Sequence, residues 1–128
     1  MSVVTAEIGL KGLATLIVGE ADTAVAMGSG TVHVLATPRV VALVEQATCA
    51  ALAGHLAEGC TTVGMRVQLD HLRPTPVGGR VTAEAVLEKI EGRRLTFTVS
   101  ATDTKGLVAA GKVTRALVEV DRFMEKSQ

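Results

Sequence analysis

Residues 36–56 read ATPRVVALVEQATCAALAGHL, and how this run folds decides the architecture of the chain. Thr37 and Pro38 form a helix start: a threonine hydroxyl caps the first turn, and proline at the first helical position loses nothing, because its N–H would have no partner there. Val40, Val41, Leu43, Val44, Ala47, Ala50, Ala51, Leu52, Ala53 and Leu56 then point all around a helical wheel, and EGC at 58–60 supplies the stop. A helix apolar on every side is buried on most of them, so the remaining chain must wrap it. One acid, Glu45, sits in its middle.

The residues after the helix alternate with period two, the pattern of strands with one face on a core. Val63, Met65, Val67, Leu69 and His71 fall on one face of the first such strand, with Gly64, Arg66, Gln68 and Asp70 on the other. RPTPVGG at 73–79 is a turn region, RVTAEAVLEKI at 80–90 a second strand, and EG at 91–92 a tight hairpin. RRLTFTVSAT at 93–102 is a third strand, DTKG at 103–106 another turn and LVAAGKVTRALVEV at 107–120 a fourth strand. Short connections predict an antiparallel meander. Before the helix, EIGLKGLATLIV at 7–18 is a further candidate strand, 19–31 a glycine-rich irregular segment, and VHVL at 32–35 a short extended piece. A long buried helix and an antiparallel sheet have one economical packing, the sheet curled around the helix: an α+β hotdog fold, in a single domain over 1–128. Bare sheet edges and an apolar helix only part-covered by one sheet predict a homodimer, or a dimer of dimers.

Composition narrows the function. Thirteen Lys and Arg balance thirteen Asp and Glu, which advertises neither a nucleic acid nor an anionic membrane as partner. With no Trp, no Tyr and only Phe97 and Phe123, the chain lacks the aromatic platforms on which single-stranded nucleic acids stack. The start MSVVTAEIGLKG has no basic-then-apolar leader pattern, no apolar run nears the roughly 20 residues that span a bilayer, and a soluble cytoplasmic protein is expected. Cys49 and Cys60 match no zinc or CxxC spacing, so neither a disulfide nor a metal site is expected, and Cys49, within the apolar helix, reads as core filling.

Three residues from elements that must pack together are the candidates to carry chemistry: Thr37, Glu45 and His71. Burying a lone carboxylate is costly unless donors or a cation receive it, and such acids concentrate at functional sites. The competing account of Glu45 is structural: it reaches the helix's solvent edge or pairs with an arginine across an interface. For Thr37 the competing account is capping of the Val40 N–H, and for His71 a satisfied core histidine. Together, a carboxylate, an imidazole and a hydroxyl near a helix N-terminus, whose amides favour negative charge on a carbonyl oxygen, supply a base or nucleophile, a proton shuttle and an orienting donor for acyl transfer.

The stretches LATPRVVALVEQATCAAL and VGMRVQLDHLRPTPVGGRVTAEAVLEKIEGRRLTFTVSA resemble the hotdog thioesterases of the fluoroacetyl-CoA thioesterase type, over roughly 34–120. The resemblance rests on the joint spacing of Thr37, Glu45, Gly64 and His71 with IEGRRL at 90–95. It implies hydrolysis of a small acyl-CoA with Thr37, Glu45 and His71 as the catalytic set and Glu45 as nucleophile or general base. It further implies the Gly64 backbone N–H on the thioester oxygen, Arg115 near coenzyme A, and no cofactor beyond the coenzyme A of the substrate. Members selecting a fluorinated acetyl group carry phenylalanines before the helix. Here no Phe precedes position 97, and AMGSGTVHVLA offers Met27, Val32 and Leu35 instead, so a different acyl group is expected. Arg66, Arg73, Arg80, Arg93 and Arg94 are further candidates for the coenzyme A phosphates, each set against service as a solvated surface charge. The rival classes are a non-catalytic acyl-CoA binding or sensing protein, a structural dimer, and a hydratase. Adjacent Asp70 and His71 disfavour the last, because a strand points them to opposite faces.

Overall fold

The computed structural model describes residues 6–128, so the reading of the N-terminal leader region falls partly outside the described residues. Five strands, β1 (Lys11–Ile17), β2 (Cys60–His71), β3 (Arg80–Glu91), β4 (Arg94–Asp103) and β5 (Gly106–Glu119), form one antiparallel sheet. The long helix α2 (Thr37–Leu52) lies on its inner face, mainly across β1 and β3. Val40, Leu43, Val44, Ala47 and Ala51 meet Val81, Ala83, Ala85, Leu87, Leu95, Phe97, Val99 and Val113 in a single apolar core. This is the hotdog arrangement. Contact is close enough at Gly12 that any side chain there would run into the α2 backbone at Ala47 and Ala51. Glycine thus sets the depth at which the sheet wraps the helix.

The sheet order β1-β3-β4-β5-β2 corrects the expected meander. β3, β4 and β5 follow one another through two-residue turns, Gly92–Arg93 with Gly92 at φ 59° and Thr104–Lys105. β2 instead pairs with β5 and forms the edge opposite β1. The segment between β2 and β3 contains Pro74 and Pro76, is too long for a tight hairpin, and carries the chain back across the sheet while Pro76 bridges to Val34 and the Thr75 carbonyl accepts the Leu35 N–H.

Helix α2 also ends sooner than its apolar residues suggest. It stops at Leu52, Gly54 takes φ 81°, and the EGC segment belongs to the entry of β2. Apolar composition outran the backbone. The face formed by Ala42, Gln46, Cys49 and Ala53 is turned away from the sheet, so Cys49 is exposed in this chain rather than filling the core. The glycine-rich segment before α2 is more ordered than its composition implies: a 3-10 turn (Glu20–Asp22) leads to the short helix α1 (Ala24–Met27), capped by the Thr23 hydroxyl on the Ala26 N–H. A last short helix, α3 (Val120–Glu125), continues from β5.

Candidate active site

The register of β2 decides which side chains reach the helix. Gly64 pairs with Arg115 and Arg66 with Thr114, so Met65 is a bulged residue with no cross-strand partner. Across an antiparallel ladder paired residues share a face. Val67, Leu69 and His71 therefore lie on the inner face with Val113, Gly111 and Ala109, but upstream of the bulge that face carries Thr62 and Gly64. The unbroken row of Val63, Met65, Val67, Leu69 and His71 is corrected: Met65 is 48% exposed and Val63 faces outward. The bulge is what brings Gly64 to the helix.

At Gly64 the missing side chain matters. A Cβ there would collide with Glu45 Oε2 and come within 3.6 Å of Arg115 Nη1. Into that gap Arg115 reaches from β5: Nη1 donates to Glu45 Oε2 at 3.1 Å, Nε to Thr62 Oγ1 at 2.9 Å, and Nη2 to the Thr62 carbonyl at 3.1 Å. The guanidinium is only 7% exposed, the Glu45 side chain 33%. Glu45 is thus a half-open carboxylate held in place by a buried cation. Thr62, which carries two of the three bonds, was not legible in the sequence, because without the bulge it falls on the outer row.

Thr37 and His71 form a second cluster. Thr37 is the first residue of α2, and the capping position belongs to Ala36, which has no side chain to cap with. The Val40 N–H goes to the Ala36 carbonyl at 3.1 Å, correcting the capping expectation. Freed from that duty, the Thr37 hydroxyl shares a hydrogen bond of 2.8 Å with His71 Nδ1. Burial lowers the His71 pKa below its ordinary 6.5, with the Arg73 backbone opposing, so the ring is neutral near pH 7. Its Nε2 is buried with no hydrogen-bond partner among the described residues. Asp70, the next residue, is exposed on the other face, as the alternation of a strand requires.

Thr37 and His71 line an open cavity of about 300 Å³, walled by Val32, Leu35 and Leu72 among others. Met27, the third apolar residue expected before the helix, is not among its lining residues. Arg73 also borders the cavity, but its guanidinium pairs with Asp103, which further accepts the Thr75 hydroxyl at 3.0 Å and the Lys105 N–H at 2.8 Å. Burial alone would raise the Asp103 pKa; these donors and the Arg73 charge outweigh it and hold the carboxylate below its usual range. Arg66, Arg80, Arg93 and Arg94 are exposed. The chain therefore joins Thr37 to His71, and Glu45 to Gly64 and Arg115, while two turns of helix, about 12 Å, separate the pairs.

The chain is similar in sequence and in fold to known proteins. The family whose model matches residues 18–121 is FlK, fluoroacetyl-CoA-specific thioesterase. The fluoroacetyl-CoA thioesterase of Streptantibioticus cattleyicolor is 37% identical over 94 residues, 73% of this chain and 68% of that protein. Among solved structures, the fluoroacetyl-CoA thioesterase FlK superposes with a TM-score of 0.90 at 29% identity over 95% of each chain. A thioesterase superfamily member from Thermus thermophilus does so with a TM-score of 0.85 at 25% identity, over 94% of this chain and 89% of that one. A family model matched over residues 18–121, with a curated relative 37% identical over 73% of the chain, places this chain in the fluoroacetyl-CoA-specific thioesterase family.

Proposed function

We propose that the protein is an acyl-CoA thioesterase that hydrolyses a small acyl-CoA to the free acid and coenzyme A, with Glu45, Thr37 and His71 as its catalytic residues. The observation that carries this reading is the Glu45 carboxylate, held by Arg115 over the bare Gly64 backbone at the half-open edge of the core. Support comes from the relatives: a variant of FlK has been solved with fluoroacetate and CoA. The Glu45 carboxylate either attacks the thioester carbon, expelling the thiolate and leaving an anhydride that water cleaves, or takes a proton from water as the water attacks that carbon and expels the thiolate. The neutral His71 ring moves protons, its tautomer set by Thr37, whose hydroxyl also orients the acyl group. The Gly64 N–H is assigned to the thioester oxygen. Arg115 acts on the reaction through Glu45, and the exposed arginines are left for the coenzyme A phosphates. The mechanism calls for no metal or redox cofactor; coenzyme A enters as part of the substrate.

One carbonyl cannot touch both clusters across two helical turns of a single chain. A homodimer removes the difficulty: β2 is a free edge, and the face of α2 bearing Ala42, Gln46, Cys49 and Ala53 is uncovered. A second copy seated there brings the Glu45 of one chain toward the Thr37–His71 pair of the other. The same reading takes residues 1–128 as one domain working in the cytoplasm, where its free thiols, Cys49 and Cys60, stay reduced.

The test is thiol release from acetyl-, propionyl-, fluoroacetyl-, medium-chain and aryl-acyl-CoA by the wild type and Glu45→Gln. Turnover that falls at least a hundredfold in a variant melting near the wild type supports the assignment. Equal activity of the variant, or binding of acyl-CoA without any thiol release, refutes it, the latter in favour of a sensor. Mixing Glu45→Gln with His71→Ala chains restores activity in mixed dimers if the two clusters act across the interface.

A further inference from the structure

The cavity beside Thr37 and His71 is too large for a two-carbon acyl group. A group of carbon or water size occupies about 30 Å³ in a condensed phase, so about 300 Å³ holds roughly ten such groups. The three heavy atoms of an acetyl leave most of it unfilled. The reason lies in the wall: Ser29 and Gly30 present almost no side chain, Val32, Val34, Leu35 and Leu72 are all aliphatic, and no Phe, Tyr or Trp is among the lining residues. A Cβ at Gly30 would stand 3.3 Å from the Ala24 methyl, so a side chain at that position would be tight against Ala24.

The wall is also without net charge. Its one permanent cation, Arg73, is matched by the Asp103 carboxylate, 7% exposed, which Thr75 and Lys105 hold in place. A carboxylate at the far end of an acyl chain would find no unpaired cation there and would give up part of its water against an aliphatic wall.

We infer that the acyl group taken by this protein is an uncharged chain or ring of about six to eight carbons, seated against Val32, Val34, Leu35 and Leu72, rather than a two-carbon or dicarboxylic acyl group. The inference rests on the thioesterase reading, which sets the thioester carbon beside Thr37 and His71 at the cavity. Each methylene added within the cavity raises kcat/KM about threefold in so open a pocket, which is roughly 50- to 100-fold between acetyl and hexanoyl, with a plateau once the cavity is full.

The experiment measures kcat/KM for acetyl-, fluoroacetyl-, butyryl-, hexanoyl-, octanoyl-, decanoyl-, phenylacetyl- and succinyl-CoA. A rise through hexanoyl or octanoyl, phenylacetyl among the best, and succinyl at least tenfold below hexanoyl is the expected result. Val32→Phe, at an exposed position of the wall, then lowers the hexanoyl-to-acetyl ratio at least tenfold. A maximum at acetyl or fluoroacetyl overturns the inference while leaving thioester hydrolysis intact, and so does succinyl above hexanoyl, which would make Arg73 a carboxylate receptor. If no thioester is cleaved, the hydrolysis reading falls, and dissociation constants for coenzyme A, acetyl-CoA and hexanoyl-CoA decide the cavity: graded affinity supports it, equal affinities refute it.

Discussion

Replacing Arg115 with methionine separates two roles that sequence resemblance alone cannot tell apart. The substitution keeps the apolar stem and removes three hydrogen bonds, two to Thr62 and one to Glu45. Each bond from a charged donor contributes about 1.5 kcal/mol net, and the one to Glu45 counts for less, about 1 kcal/mol, because a third-exposed carboxylate regains water. Relief of the buried guanidinium's desolvation offsets part of the loss, leaving a cost of about 2 to 3 kcal/mol. At about 2.1 cal/mol/K per residue over 128 residues, that lowers Tm by about 7 to 11 °C. The functional consequence is sharper. With its cation gone, Glu45 rotates away from Gly64, so kcat is expected to fall about a hundredfold, by the scale of losing a positioned acid–base group. Affinity for free coenzyme A should stay within about twofold, because the buried guanidinium spends its bonds inside the chain. Isothermal titration with coenzyme A and steady-state thiol release, on protein shown folded by circular dichroism, read the two quantities separately. A tenfold loss of coenzyme A affinity with kcat preserved would refute this reasoning and make Arg115 a phosphate ligand. In the Glu45→Gln background, Arg115→Met should cost little further activity, since the two residues act as one unit.

Gly64→Ala inserts a methyl where the Glu45 carboxylate lies; kcat should drop at least tenfold with a stability loss of about 1 to 2 kcal/mol, measured by urea unfolding, and full activity would show that Glu45 is not held there in catalysis. Gly12→Ala drives a methyl into the α2 backbone and is expected to cost about 2 kcal/mol or more, because overpacking exceeds the entropic gain of leaving glycine; an unchanged melting curve refutes the close approach. For His71 the folded pKa is lowered, so the unfolded chain takes up the proton first. Stability is then lost as pH falls below about 6.5 and levels off once the folded ring is itself protonated. Thermal melts of wild type and His71→Gln across that window should diverge at neutral pH and converge in acid, and parallel curves would contradict the shift.

Much of this fold is legible in the sequence. The long apolar helix and the strands after it follow from periodicity and from proline near a helix start, and the rarity of an acid in such a helix singles out Glu45; of the expected triple, Thr37 meets His71 while Glu45 meets Arg115. What failed has particular causes. The end of α2 was misplaced because Ala53 and Leu56 continue the apolar composition, while Gly54 and its left-handed backbone stop the helix. The Thr37 cap failed because the helix begins one residue earlier than the hydroxyl would require, leaving that hydroxyl for His71. Thr62 escaped notice because a single bulged residue, Met65, reverses which alternate positions of β2 face the core, and alternation carries no mark of a bulge.

The division is one of range. Local pattern is set by neighbours three or four residues apart in a helix and two apart in a strand, so the sequence by itself determined the element types, the buried character of α2 and the oddity of Glu45. Which strand pairs with which, and what stands opposite Glu45, depend on contacts between residues 45, 64 and 115, far apart in the chain and brought together only when β2 crosses to pair with β5. Such pairings are selected by the packing of the whole sheet against the helix, and no short window of sequence encodes them. Only the tertiary structure could decide that the acid in the helix is met by Arg115.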